Sequence, residues 1–310
     1  MNRYIALALA IVVAVIALLC TKFTVIYPQH LVDIIWLVDN YDVVDSARID
    51  VEIESDMPET NNVYIAPLSG NLIYSEPFYL GVITRIPAVY KSSIDAMLLN
   101  NRFISKGKGS VFSRWNTLDL RNIKMPENGF YFAADYEGEH YISARTLFRW
   151  NKGKYTFRIE RAKFGVEDKN NASWYNAYIY EHSTGNIHYC GSIKYSKDEK
   201  NTATKRYNAN RSFYSFVECF ETEDKKDAFE HFSVRFGQLY LNEKPCSFKD
   251  VLVRYNEHTY EYAYAEKRGE TIVVDVDPKR KGINTEQRKG PLPESNRITR
   301  LSSEEKREAK

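Results

Sequence analysis

The chain has 310 residues, with 43 Lys and Arg against 41 Asp and Glu and a formal net charge of +2. This balance excludes the strongly basic class of general nucleic-acid-binding proteins, so no nucleic acid is expected as a partner. The 23 Tyr and 16 Phe residues favour strands, because aromatic side chains pack well on a half-buried pleated surface.

The N-terminal segment has the composition of a membrane-targeting signal. Residues 4–20 carry no charge and follow a short start that contains Arg3, a pattern typical of such signals. The run approaches the roughly 20 apolar residues that span a bilayer, and Leu18-Leu19-Cys20 matches a signal-peptidase site poorly. We predict that residues 1–27 form a retained signal anchor, with a cleaved signal peptide as the alternative.

The expected location follows from this segment. A basic residue before the apolar run favours an N-terminus on the inside. Residues 4–27 would then contact the membrane, and the rest of the chain would lie outside the cytoplasm, in a periplasmic or extracellular space. If the signal is cleaved, the protein is secreted.

Residues 28–46 follow as a predicted membrane-proximal connector. They include an apolar patch over residues 31–38, which is either a short interfacial segment or a first strand.

Residues 47–277 carry the alternation of a strand-built domain. In one run, Tyr155, Phe157 and Ile159 alternate with polar residues, as in a strand with one wet face. Many such short runs are separated by turn residues, and long helical periodicity is scarce. We therefore predict an all-β fold, an antiparallel sandwich or barrel.

The final segment, residues 278–310, has no aromatic residue and few aliphatic ones. Such a segment buries too little apolar area to offset the entropy of ordering, and we predict a disordered charged tail.

The cysteines of the domain are Cys190, Cys219 and Cys246. Three cysteines allow at most one bridge, and the sequence favours small buried side chains over a disulfide. Since no Cys/His spacing suggests a metal site, we expect neither a metal nor a cofactor.

Residues 111–241 resemble a family of secreted, mostly bacterial domains, the domain of unknown function 3472. The resemblance rests on an ordered set of strand-like pieces: residues 111–115, 148–158, 174–180 and 211–218. It implies a lectin-like β-sandwich of jelly-roll type and an association with carbohydrate, but no established activity.

Four aromatic residues are candidate ligand-binding residues: Trp115, Trp150, Trp174 and Tyr178. Sugar rings have apolar C–H faces that stack on aromatic planes. The alternative is that these residues fill the core of the sandwich.

Glu218 interrupts an apolar run and is the weak candidate for a catalytic residue. A glycosidase needs two carboxyl groups roughly 5 to 10 Å apart. The alternative is a structural ion pair or a residue on the wet face of the strand.

The sequence thus favours a non-catalytic carbohydrate-binding protein, exported or membrane-anchored, whose partner is a glycan or a cell-envelope polymer. Two alternatives stay open. One is a glycoside hydrolase or lyase that uses paired carboxylates, and the other is a structural or adhesive envelope protein that pairs through a sheet edge.

Overall fold

A computed structural model gives the architecture of most of the chain. It describes residues 28–38, 43–73, 76–86, 107–136, 139–162, 172–196, 212–220, 230–246, 251–255, 263–279 and 297–300. The predicted signal anchor, residues 1–27, lies outside these ranges. Within them, no helix has the length and apolar character needed to cross a bilayer.

The described residues form β-strands and two short 3-10 turns, and they contain no α-helix. The strands are β1 (Pro28–Leu37), β2 (Ser46–Ile53), β3 (Val63–Asn71), β4 (Pro77–Ile83), β5 (Gly109–Trp115), β6 (Ile123–Lys124), β7 (Gly129–Tyr136), β8 (Glu139–Leu147), β9 (Gly153–Arg161), β10 (Ala172–Glu181), β11 (Ile187–Ser196), β12 (Ser212–Phe220), β13 (Phe232–Leu241), β14 (Lys244–Pro245), β15 (Val251–Tyr255), β16 (Ala263–Arg268), β17 (Thr271–Val276) and β18 (Arg297–Arg300). The 3-10 turns are Glu59–Asn61 and Leu120–Asn122. The prediction of an all-β fold is confirmed.

The strands assemble into two sheets with antiparallel pairing throughout. The first sheet has the order β18-β15-β1-β12-β3-β4-β5-β8-β7. The second sheet has the order β16-β17-β13-β2-β9-β10-β11-β6, and β14 pairs with β13. One cluster of buried apolar residues draws on both sheets, so the sheets share a core as in a β-sandwich.

The core follows from the alternation of the strands. On β9, Tyr155, Phe157 and Ile159 are buried in the shared core, whereas the residues between them are more exposed. Successive side chains of a strand point to opposite sides, so one side of β9 packs inward. Burying a side chain such as Phe157 contributes about 1.5 to 3 kcal/mol.

Two tryptophans lie deep in this core with their polar atoms bonded. The Trp36 indole N–H donates to Ser215 Oγ at 3.0 Å, and the Trp150 N–H donates to the carbonyl oxygen of Ile83 at 3.1 Å. Trp150 is fully buried. Its ring packs in the shared core and its N–H is bonded within the protein, so of the two readings that its sequence left open, it follows the core one.

In the segment expected as a connector, residues 28–46, the described residues 28–38 and 43–46 are part of the domain. Strand β1 lies inside the first sheet, paired with β12 on one side and with β15 on the other. Its apolar patch is buried: Leu31, Val32, Ile34 and Trp36 are almost fully covered. A strand flanked by neighbours and covered by a second sheet carries apolar residues on both faces, which explains why the patch resembled an interfacial segment.

The tail also differs from expectation in one place. Within residues 278–310, which the composition predicted to be disordered, β18 (Arg297–Arg300) pairs with β15 at the edge of the first sheet. Pairing at a sheet edge uses backbone groups, so a segment poor in apolar side chains can still form a strand. The three cysteines of the domain, Cys190, Cys219 and Cys246, are buried and unbridged, as the sequence favoured.

Candidate functional site

The first sheet has a second apolar surface, on the side that faces away from the shared core. Along β4, Leu80 and Val82 enter the shared core, and Tyr79 and Ile83 belong to a separate cluster. The same alternation holds on the strands from β12 to β7. We call this surface the aromatic face, and its rings are Tyr64, Tyr79, Trp115, Phe130, Phe132, Tyr141 and Phe216.

The rings of the aromatic face form a connected chain. The Tyr79 ring centroid lies 5.5 Å from that of Tyr64 and 6.1 Å from that of Trp115. The Trp115 centroid lies 4.9 Å from that of Tyr141, which in turn lies 5.7 Å from that of Phe132. These separations are those of favourable aromatic pairs. The chain runs across β3, β4, β5, β8 and β7, four strand spacings or about 19 Å.

Small residues occupy the centre of this face. Gly81 approaches β3 so closely that an added Cβ would lie 2.1 Å from the carbonyl oxygen of Ile65 and 2.8 Å from the Cα of Ala66. Opposite Tyr79, Ser113 Oγ on β5 donates to Ser143 Oγ on β8 at 2.9 Å, and both serines are fully buried. The surrounding rings therefore stand above a low polar floor.

Arg145 extends this polar floor from β8. Its Nε donates to Ser143 Oγ at 3.2 Å, and its guanidinium lies 4.2 Å from the centroid of the Phe132 ring. Burial raises the pKa of Tyr141, which the charge of Arg145 and a hydrogen bond from it partly offset. Arg145 is only 7% exposed, and its Nη1 has no hydrogen-bond partner.

Tyr64 and Glu218 meet at the other end of the face. They are paired in register on β3 and β12, with relative exposures of 2% and 8%. Burial raises the pKa of Tyr64 well above its usual value, and the charges of Tyr79 and Glu218 raise it further. The phenol therefore stays protonated, and its hydroxyl has no hydrogen-bond partner.

These two orphan groups give the face its binding potential. A buried polar atom without a partner costs about 1 to 3 kcal/mol, and nearly all such atoms in native proteins are satisfied. Tyr64 Oη and Arg145 Nη1 are both on this one face. A ligand that supplies acceptors to both would recover that cost.

A second carboxylate lies near Glu218 but is already bonded. Asp33 on β1 is paired in register with Phe216 on β12, which puts it on the same side of the sheet as Glu218. Its Oδ2 accepts from Arg254 Nε at 2.6 Å and lies 2.5 Å from Nη2. An ion pair of this kind holds the carboxylate charged and occupied.

The outer face of the second sheet is polar and charged. On β2 and β9, Arg48, Glu52, Lys154 and Arg158 are on the exposed side. They form cross-strand ion pairs, such as Arg48 with Glu243 at 3.4 Å. Such exposed pairs contribute little to stability, and the surface has the character of a solvated face.

Trp174 and Tyr178 both lie on this second face, on alternate positions of β10. The ammonium of Lys124 covers the Trp174 ring at 4.3 Å, and the Tyr178 ring lies 5.5 Å from that of Tyr189. Near them, Ser192 Oγ donates to the side-chain oxygen of Asn176 at 2.6 Å. The structure therefore separates the four sequence candidates: Trp115 on the aromatic face, Trp150 in the core, and Trp174 and Tyr178 on the opposite side of the molecule.

Sequence reasoning missed most of the aromatic face. It singled out Trp115 and Glu218 but not Tyr64, Tyr79 or Arg145. These residues lie on strands that are apolar on both sides, so their direction is hidden in the sequence. The one available signal was a run of polar or aromatic residues at alternate positions, Tyr141, Ser143 and Arg145 on β8.

Within the ranges that the structure describes, no three His, Cys, Asp or Glu side chains group together as a metal site would require. A comparison with protein-family models finds no match to the chain. A comparison with curated proteins finds no match either.

Proposed function

We propose that this protein binds carbohydrate without transforming it, and that the aromatic face of the first sheet is the binding surface. The observation that carries the proposal is the chain of rings from Tyr64 to Phe132 with two orphan donors among them. Sugar-binding sites combine flat aromatic surfaces with a few fixed polar groups in this way.

The charges on the face support a polar ligand. Glu218 and Arg145 lie on strands four spacings apart, about 19 Å. Even so, both charges affect the pKa of each of the phenols Tyr64, Tyr79 and Tyr141, which burial raises. Charged groups at both ends of the face thus act on the phenols between them, and this environment suits a polar ligand better than an apolar one.

The sequence resemblance supports the same proposal. The domain of unknown function 3472, which residues 111–241 resemble, is associated with carbohydrate and implies a lectin-like sandwich of jelly-roll type. The predicted signal anchor in residues 1–27 supports a location outside the cytoplasm, where a glycan or an envelope polymer is available.

Catalysis has less support from the geometry. A glycosidase needs two carboxyl groups that are free to donate and accept protons, and Asp33, one strand away from Glu218, is bonded to Arg254. Release of reducing sugar by the wild type that disappears in Glu218→Gln would favour the hydrolase instead.

The test uses the full chain, solubilised in mild detergent, on an array of neutral and charged oligosaccharides. We expect binding by the wild type, loss of at least tenfold in affinity for Trp115→Ala, and no change for Trp174→Ala. The second variant is the matched control, because it removes a half-buried tryptophan from the opposite face. Equal binding by both variants, or loss only in Trp174→Ala, would overturn the proposal.

A further inference from the structure

We infer that the saccharide bound by the aromatic face is acidic, and that its negatively charged oxygens pair with the guanidinium of Arg145. The inference rests on the proposed function and names its ligand class. Two buried arginines of the chain, Arg114 and Arg145, differ in the partners of their guanidinium groups.

Arg114 and Arg145 are the two arginines buried in the described part of the chain. Arg114 extends into the shared core and forms an ion pair with Glu76. Its guanidinium also donates to the carbonyl oxygen of Lys194. Its guanidinium therefore has a carboxyl group and a carbonyl oxygen within the protein as acceptors.

Arg145 has no such compensation. Its bonds are to the neutral Ser143 and Tyr141, and no carboxylate of the described residues pairs with it. An arginine keeps its charge at any accessible pH, and a buried charge without a counter-ion is costly. A ligand with an anionic group would supply the missing partner.

The unpartnered nitrogen of Arg145 supports an oxyanion as this partner. Nη1 is the unpartnered nitrogen, while Nε on the other side of the group is fixed by Ser143. With Nε bonded to Ser143 and a further hydrogen bond to Tyr141, Nη1 is left to donate in the plane of the guanidinium to a carboxylate or sulfate oxygen.

The rest of the face accommodates the neutral part of such a ligand. Tyr64 supplies a second buried donor without a partner, and the rings of Tyr79, Trp115 and Tyr141 lie between it and Arg145 as stacking surfaces for a sugar. With its charged group paired to Arg145, an acidic sugar is bound in one orientation, and its neutral part extends towards Tyr64.

The first experiment needs no variant. Wild-type protein is titrated with an oligogalacturonate and with the same oligosaccharide after reduction of its carboxyl groups to alcohols, and a sulfated oligosaccharide forms a third arm. A charge-assisted hydrogen bond contributes about 1.5 to 3 kcal/mol, so we expect roughly 10- to 100-fold weaker binding after reduction. Preference for the sulfated arm over both others would assign the same Arg145 site to sulfate esters.

The second experiment uses Arg145→Gln, with Arg158→Gln as the matched control. Arg158 is paired with Glu160 at 3.1 Å on the exposed face of the second sheet. We expect Arg145→Gln to bind the acidic and the reduced oligosaccharides equally weakly, and Arg158→Gln to keep the preference of the wild type. Melting temperatures establish that both variants are folded.

The outcomes of the two experiments distinguish failure of the acidic ligand from failure of carbohydrate binding itself. Equal wild-type affinity for the acidic and the reduced oligosaccharide, lost in Trp115→Ala, would overturn the acidic ligand and leave carbohydrate binding intact. Absence of binding to every saccharide of the array would overturn both.

Discussion

The Trp115 indole and the Tyr141 ring lie 4.9 Å apart with an angle of 47° between their planes. They are paired in register on the neighbouring strands β5 and β8. Each ring thus fixes the position of the other on the aromatic face, and a ligand that stacks on Trp115 meets a ring that is already oriented.

This contact predicts a measurable coupling. Trp115→Ala and Tyr141→Ala, made singly and together, should show a coupling energy of about 0.5 to 1.5 kcal/mol in urea unfolding. Trp174→Ala with Tyr141→Ala is the control pair, because the two rings are on opposite faces, and its effects should add within about 0.5 kcal/mol. Equal coupling in both pairs would contradict the contact.

Glu76 predicts a stability that falls as the pH rises. Burial raises the pKa of its carboxyl from 4.5 to about 7, although Arg114 acts in the opposite direction. Since the folded protein holds this proton more tightly than the unfolded chain, the contribution of Glu76 is complete below about pH 4.5, is still large at pH 5 and is lost as the pH rises through 7. The loss amounts to about 2 kcal/mol.

The measurement compares the wild type with Glu76→Gln at pH 5 and pH 7.5 by urea unfolding. The glutamine keeps the shape of the side chain but does not titrate. The stability of the wild type relative to the variant should fall by about 2 kcal/mol between the two pH values. A difference that is constant with pH would show that Glu76 stays charged in the fold.

The contribution of His188 to stability should depend on pH in the opposite direction to that of Glu76. Burial lowers its pKa from 6.5 to about 4. Its ring stacks on Phe148 at 4.4 Å, and its Nε2 lies 2.9 Å from Ser110 Oγ. The unfolded chain binds the proton more readily, so the contribution of the neutral histidine is full above pH 6.5 and is lost as the pH falls towards 4.

The test for His188 is the stability of His188→Gln over the same pH range. The variant should gain stability relative to the wild type as the pH falls from 7.5 to 5. The double variant Glu76→Gln/His188→Gln lacks both contributions. Its stability relative to the wild type should change little between pH 7.5 and pH 5, because the two opposite effects nearly cancel in the wild type. If His188→Gln instead lost stability relative to the wild type as the pH falls from 7.5 to 5, His188 would not be a buried neutral ring.

Gly81 predicts a large steric effect at the floor of the aromatic face. In Gly81→Ala the new Cβ would lie 2.1 Å from a backbone oxygen of β3, so β3 and β4 must separate. We expect a loss of more than about 3 kcal/mol in the free energy of unfolding.

Gly269→Ala is the matched control for Gly81→Ala. Gly269 has a φ of 62° and no atom within 4 Å of an added Cβ, so only the cost of a left-handed backbone applies, about 1 to 2 kcal/mol. If Gly81→Ala were the milder change by urea unfolding, the close approach of β3 and β4 would be wrong.

Several strands could be located from the sequence because their alternation is regular. The pattern of β9, with Tyr155, Phe157 and Ile159 inward, appears directly in the order of the residues, and the alternation of β2 is equally regular. These strands have one covered and one wet side, so hydropathy alone distinguishes the sides.

The candidate site could not be located in this way. Trp115 and Trp150 follow similar strand-like runs, yet one lies on the outer aromatic face and the other in the core. The strands of the first sheet carry apolar residues on both sides, as Tyr79 and Leu80 show on β4. Hydropathy then gives no sign of which side meets the second sheet.

The sequence by itself determined the all-β class, the position of many strands and the candidacy of Trp115 and Glu218. Only the tertiary structure decided that these two residues share a face with Tyr64 and Arg145, and that β1 and β18 belong to the first sheet. The physical reason is that alternation along one strand assigns its residues to two opposite sides. Which strands pair with it, and which side the second sheet covers, depends on segments far away in the chain. The pairing of Glu218 with Tyr64 across β12 and β3 is one such relationship.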